Sequence, residues 1–160
     1  MLFSVLLVAG IVALDQLVKY WALTVVRAAG EIPLIDGVFY CVYTENRGAA
    51  FSILQGQRWF FIIATAVAVA ALIWLLKKKF VMGQWGRMAV LFIIGGALGN
   101  FIDRVRLGYV IDMFDFRLIN FAVFNVADSF IVIGGIMGLI YFLFMDEKLR
   151  KAQLHEPEQN

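Results

Sequence analysis

Asp112 and Asp128 stand sixteen residues apart, one in a segment that alternates like a strand and the other at the start of an apolar run. Two carboxylates on separate elements can divide the work of a hydrolase. One, ionised, draws a proton from water; the other, protonated, donates to the carbonyl under attack. They belong to the stretch Gly95–Asp128, which also carries Asn100, Asp103, Arg104, Asp115 and Asn125 inside an otherwise apolar chain. Polar groups are costly near lipid and tend to mark function there, so the stretch reads as an active site. The alternation of Tyr109–Phe116 puts Val110, Asp112, Phe114 and Phe116 on one side and Ile111, Met113 and Asp115 on the other, so Asp112 and Asp115 cannot share a site. Asn125 and Asp128 also read as a helix cap, with Asn125 as N-cap and Asp128 near the third helical position. Capping accounts for Asn125, whereas Asp128 can serve the cap and catalysis together.

The elements that must position these groups follow from composition. Of 160 residues, 62% are hydrophobic and 16% charged, which is the balance of a membrane domain rather than a soluble one. Uncharged runs cover Trp59–Leu76, Met88–Ile102 and Phe130–Met145, and Leu2–Val26 is apolar apart from Asp15 and Lys19. The expected fold is all-α: four transmembrane helices in one domain, residues 1–146, followed by a polar, mobile cytoplasmic tail, 147–160. The third run is short and is taken as spanning because it must reconnect the others across the bilayer. Leu2–Leu14 has no Lys or Arg before it and no small-x-small pattern close behind, so it is expected to remain as the first helix. Lys77, Lys78, Lys79 and Arg87 lie between the second and third helices, and Lys148, Arg150 and Lys151 follow the fourth. That distribution predicts cytoplasmic termini and places loops 27–58 and 103–128 outside. The outer loops contain six arginines and no lysine, and those arginines read as local partners for carboxylates. Cys41 and His155 are each alone, so neither an internal disulfide nor a His/Cys zinc site can be assembled. A net charge of +2, thinly and unevenly spread, says little about partners, and no nucleic-acid partner is expected.

Taken in order, Asp15 and Lys19 at i, i+4 in the outer part of the first helix read as an ion pair holding that helix to the bundle. The segment IPLI-DG-VFYCVY predicts a two-residue hairpin at Asp36-Gly37, with outer β elements in 32–44 and 107–124. Asn46-Arg47-Gly48-Ala49-Ala50-Phe51 reads as a flap or interfacial helix with Gly48 as its hinge. Gly95/Gly99 and Gly134/Gly138 are expected to bring the outer ends of the third and fourth helices together. Asn100 and Arg104 share one face there, with Arg104 suited to clamp a carboxylate. Phe51, Met113, Phe114 and Phe116 offer apolar surface near the acids.

Together, Asp15-x-x-x-Lys19, Asn46-Arg47-Gly48-Ala49-Ala50-Phe51, Gly95-Gly96-x-x-Gly99-Asn100-x-x-Asp103-Arg104, Val110-Ile111-Asp112 and Phe124-Asn125-Val126-Ala127-Asp128 resemble the motifs of the lipoprotein signal peptidases, the bacterial signal peptidase II family. The likeness runs from the first helix to the start of the fourth, with Met113 where a Phe is expected. It implies a four-helix membrane aspartyl peptidase with an outer β-cradle and a flap. It implies Asp112 and Asp128 as the catalytic pair, with Asp15, Lys19, Asn46, Arg47, Gly48, Asn100, Arg104 and Asn125 binding substrate or supporting the site. The implied substrate is a diacylglyceryl-modified prolipoprotein cut just before its lipidated cysteine, in the bacterial plasma membrane among its lipids. No metal or organic cofactor is implied, and a monomer is expected. The dipole at the start of the fourth helix favours a charged Asp128, while apolar neighbours favour a protonated Asp112, so Asp128 is the expected base and Asp112 the acid. Two other readings compete. One is a serine-lysine signal peptidase, with Lys19 activating Ser52 or Ser129. The other is a four-helix proton-coupled transporter in which Asp15 carries the proton.

Overall fold

The computed structural model describes residues 2–48, 54–81, 83–119 and 121–145. Ala49, Ala50 and Phe51 of the expected flap, Ser52, and the tail 147–160 lie outside the described residues. Helix α1 (Leu2–Trp21) runs on through a π-helical turn, Ala22–Val26, and a last turn, Arg27–Ala29. α2 is Arg58–Lys77, α3 is Gly83–Arg106, and α4 (Val126–Ile140) continues into a second π turn, Tyr141–Met145. The four resulting helices are long and apolar enough to cross a bilayer, as the composition predicts. α3 has 24 residues, well beyond its uncharged run, because Gln84, Arg87, Asp103 and Arg104 ride on its ends without breaking it.

Half of the apolar window of α3 is buried inside the protein, against 6% for α2, so α3 is the central post and α2 a peripheral wall. Leu6, Leu17, Phe60, Ile63, Val67, Ile136 and Phe142 point outward, a surface that suits hydrocarbon rather than water. Glycines set the close contacts around α3, in a different arrangement from the one expected. Gly95 and Gly99 face α1, where an added Cβ would meet Ile11 at 2.9 Å and Asp15 Oδ2 at 2.6 Å. Gly96 and Gly99 both abut α4: a methyl group on Gly96 would collide with the carbonyl oxygen of Ala127, and one on Gly99 would lie 3.2 Å from Ala127 Cβ. A Cβ added to Gly134 of α4 would meet the Ala89 carbonyl oxygen at 2.7 Å, while one added to Gly138 would lie 4.0 Å from Ala89 Cβ, an ordinary contact. The outer end of α3 does meet the start of α4 as expected, but through Gly96 and Gly99 against Ala127; Gly95 is given to α1, Gly99 is shared between the two neighbours, and Gly134 meets α3 farther back, at Ala89.

At the C-terminal end of α3 lies a three-stranded antiparallel sheet in the order β1 (Glu31–Ile35), β2 (Phe39–Asn46), β3 (Val110–Phe116). The hairpin turns at Asp36-Gly37 as read, with Val38 N–H donating to Ile35 O at 3.0 Å. Only Gly37 has positive φ (73°), however, so this is not the primed two-residue turn, and the register shifts between Pro33 and Ile35. A second shift, between Cys41 and Thr44, puts Thr44 opposite Asp112 and Asn46 opposite Val110.

β3 alternates as its sequence predicts. Ile111 and Met113 join Cys41 in packing on Ala22 and Val26 of the π turn, while Asp112 faces the other way. Met113 is thus fully buried in the core and offers no surface near the acids, contrary to expectation. Phe114 and Phe116 stack instead with Phe39 and Phe124, at centroid distances of 5.6–5.9 Å. Gly108, with φ 86°, turns the chain from α3 into β3, and Arg58 donates to the exposed helix-end carbonyls of Arg104 (2.8 Å) and Val105 (2.7 Å).

Candidate active site

Asn125 has extended backbone (φ −130°, ψ −177°), and its side chain opens α4 as the N-cap of a full capping box. Its Oδ1 accepts from Asp128 N–H at 2.8 Å, while Asp128 Oδ2 accepts from Asn125 N–H at 3.2 Å. With the carbonyl oxygen so engaged, Nδ2 is turned the other way and donates to Asp112 Oδ1 at 2.6 Å and Asn100 Oδ1 at 3.0 Å. One amide therefore ties the strand-borne acid to the helix-borne acid. Asn46, at the end of β2, donates to Asp112 Oδ2 at 2.9 Å, with its own Oδ1 taken by Gly48 N–H at 2.9 Å. Asn100 completes the ring by donating to Asp128 Oδ1 at 2.7 Å.

Behind the ring lies a buried charged layer. Lys19 Nζ is 2.9 Å from both Asp15 Oδ2 and Asp103 Oδ2 and donates to Asn100 Oδ1 at 2.8 Å. A lysine can only donate, so this contact fixes Asn100 with its oxygen inward and its NH2 toward Asp128. Asp15 Oδ1 reaches Ala127 N–H at 2.9 Å, satisfying another open donor in the first turn of α4. The i, i+4 pair of the first helix is present, with Asp103 as a third member. Among the described residues, no buried side-chain polar atom lacks a partner.

Asp112, Asp128, Asn46, Asn100 and Arg104 line one cleft of about 650 Å³, whose other walls are mostly apolar, among them Ala97, Phe121, Phe124, Ile131, Val132 and Ile133, with Thr65 from α2 and Ser129 from α4. Burial pushes the Asp112 carboxyl up to about 7, with the charge of Asp128 adding to it against the two amide donors.

Two expected site arginines, Arg104 in the cleft wall and Arg47 outside it, make contacts other than a carboxylate clamp on the acids. Arg104 lies over the Phe61 ring at 4.7 Å and donates to the Gly48 carbonyl at 3.2 Å, so it holds the base of the flap segment where a carboxylate clamp was expected. Arg47 is largely exposed, pairing with Glu45 at 2.9 Å and covering Tyr109. The outer-loop arginines divide similarly: Arg47 and Arg117 pair with carboxylates, Arg27 lies over Tyr43, and Arg58 caps α3. Gln16, which donates to Asp103 Oδ1 at 2.9 Å, is a participant that no motif marks, and Asp103, which belongs to the polar stretch, gains a role only from its partners. Asp103 lies four residues beyond Gly99, on the face that meets Asp15, and that spacing was its available signal.

The profile of the signal peptidase (SPase) II family matches residues 7–144. A lipoprotein signal peptidase of Clostridioides difficile (strain 630) is 47% identical over 147 residues, 91% of this chain and 98% of that protein. One from Streptococcus thermophilus (strain CNRZ 1066) is 44% identical over 140 residues, 88% and 91% of the two chains. The chain belongs to the signal peptidase II family. Two solved bacterial membrane enzymes share its fold. One has TM-score 0.81 at 31% identity, over 100% of this chain and 94% of that one; the other has 0.82 at 33%, over 91% and 95%.

Membership of the signal peptidase II family and four apolar spans make this a multi-pass bacterial membrane protein and a peptidase. Geometry also disfavours the serine-lysine alternative: Lys19 is locked between two carboxylates, and Ser129 Oγ donates to Asn125 O at 3.0 Å. For this signal peptidase II family member, Asp115 is a control. It is turned from the cleft and pairs with Arg117 at 2.7 Å, which reaches on to Glu31. Asp115→Asn should change the cleavage rate by no more than about twofold, the usual range for a surface pair. A loss comparable to that of a cleft residue would show that the two faces of β3 are assigned wrongly.

Proposed function

We propose that the protein is an aspartyl endopeptidase that removes signal peptides from diacylglyceryl-modified prolipoproteins, cutting just before the lipidated cysteine. The observation that carries this reading is the pairing of Asp112 and Asp128 through Asn125 at the polar end of an apolar cleft. In the proposed cycle, water attacks the scissile carbonyl carbon while Asp128 takes its proton and Asp112 gives its own to the carbonyl oxygen. The gem-diol then collapses as Asp128 passes a proton to the leaving nitrogen, the C–N bond breaks, and Asp112 recovers a proton from the diol. Coupled carboxylates titrate as a pair, so the labels describe the starting state only. The relatives' names supply the substrate class, and the apolar walls, with Val132 and Ile133 turned partly outward, suit an acyl-bearing chain entering from lipid.

Mass spectrometry of a lipid-modified precursor peptide incubated with purified enzyme tests the reaction. The expected product begins at the lipidated cysteine, and cleavage elsewhere or not at all would overturn the reading. The unlipidated peptide should be a poor substrate: at about 0.8 kcal/mol per buried methylene, losing even four methylenes of acyl contact costs roughly a hundredfold in kcat/KM. Equal turnover of the two peptides would remove the lipid requirement while leaving the aspartyl mechanism in place.

The same reading places both termini in the cytoplasm and the cleft near the outer face. It rests on Lys77, Lys78 and Lys79 lying at the end of the bundle opposite the site. A membrane-impermeant thiol probe should label Gln84→Cys only from the cytoplasmic side and Leu107→Cys only from outside, with little background because Cys41 is buried. The reverse labelling pattern would invert the proposed topology.

A further inference from the structure

β3 ends the sheet, and among the described residues its far edge is paired only by the Phe114–Phe124 bridge, yet Ile111 is 3% exposed and its N–H needs an acceptor. Asp103 supplies it: Oδ2 accepts from Ile111 N–H at 3.2 Å. Two residues on, Met113 and Phe114 N–H both donate to Phe124 O, at 3.0 and 2.8 Å. Asp112 thus sits between two backbone pins, one from α3 and one from the segment leading into Asn125. Asp103 is itself held by Lys19 and Gln16, both at 2.9 Å, and does not line the cleft. One turn earlier on α3, Asn100 holds Asp128. A single helix therefore grips both acids, one directly and the other through its strand.

We propose that Asp103 is a positioning residue for the Asp112 carboxyl, acting through the backbone of Ile111. This rests on the reading of Asp112 as catalytic. A carboxyl displaced by about 1 Å from its productive position can lose two orders of magnitude in rate with little change in binding. Asp103 therefore governs turnover more than substrate affinity, and what it supplies to Ile111 is an acceptor oxygen, which does not require a charge.

The test measures kcat and KM per folded enzyme for the full-length protein in detergent, with a lipid-modified precursor peptide. Asp103→Ala removes the acceptor and leaves Lys19 paired with Asp15. Its kcat should fall by about tenfold to a hundredfold, with KM within about threefold of wild type. Asp103→Asn keeps an oxygen for Ile111 N–H while dropping the charge, and should return kcat to within about threefold of wild type. Wild-type kcat in Asp103→Ala overturns the proposal. Equal loss in both variants also overturns it, by assigning Asp103 to charge balance alone. If Asp103→Ala does not fold, Asp103→Leu, similar in volume and without an acceptor, takes its place with the same expected loss. Asp112→Asn is measured alongside. Activity there defeats the catalytic reading itself, whereas an inactive Asp112→Asn beside a fully active Asp103→Ala defeats only the positioning role.

Discussion

Asp112→Asn and Asp128→Asn should each cut peptide cleavage by about a thousandfold or more, since either removes one half of a general acid-base pair. The bundle should survive both changes. An asparagine at 112 can still accept from Asn46 or Asn125, and one at 128 retains an oxygen for the Asn125 cap. Wild-type activity should show a matching pH dependence. Asp112, pushed up to about 7, carries its proton below that pH and loses it above. As the proposed acid it is competent in the protonated form, so kcat/KM should fall above pH about 7, approaching tenfold per unit. The mechanism is falsified if either variant, folded and shown by intact mass not to have deamidated, cleaves near the wild-type rate.

Lys19→Met is the second large effect, and it acts on stability. Lys19 is 2% exposed and is the partner of two carboxylates that are themselves 0% and 3% exposed. Removing the cation leaves both acids buried without it, which costs about 3–5 kcal/mol. For a chain of this length that corresponds to a fall in Tm on the order of 10 °C. Thermal unfolding in one fixed detergent reads it directly. Replacing Asp15 and Asp103 by asparagine in the same chain should recover part of the loss, because the carboxamides carry no stranded charge and keep an oxygen for Ala127 N–H and Ile111 N–H. A Lys19→Met protein that melts with wild type would show that the charged layer does not hold the bundle together.

Much of this architecture is legible in contiguous residues. The four spans, the turn at Asp36-Gly37, the alternation of β3 and the cap at Asn125 are each encoded within one short segment, and each is present. The candidate site is legible to the same degree: Asn46, Asn100 and Asn125 do meet around Asp112 and Asp128. What stays hidden is which neighbour a helix face meets. Gly95 and Gly96 differ by one position and serve different helices, a division that no Gly-x-x-x-Gly count reveals. Destinations of long side chains are hidden for a related reason. Arg104 could reach a carboxylate, a carbonyl or a ring, and only the fold places Gly48 and Phe61 within its range. Met113 looks like cleft surface from its nearness to Asp112 in sequence, but the alternation that sets it with Ile111 on the other face is the signal that holds, and the pleat turns both into the core. Asp103 takes its meaning from an N–H eight residues away that the sheet leaves without a strand partner.

The sheet has a consequence of its own for a protein surrounded by extended chains. A three-stranded sheet has two open sides, and an open side invites another strand to add itself. Here β3 is closed off by Asp103 and by the Phe124 bridge. On the opposite side, β1 carries Pro33, which has no N–H to offer, and Glu31, whose carboxylate is engaged by Arg117. Both margins are thus poor templates, and the sheet resists elongation without closing into a barrel. An incoming peptide gains little by lengthening the ladder.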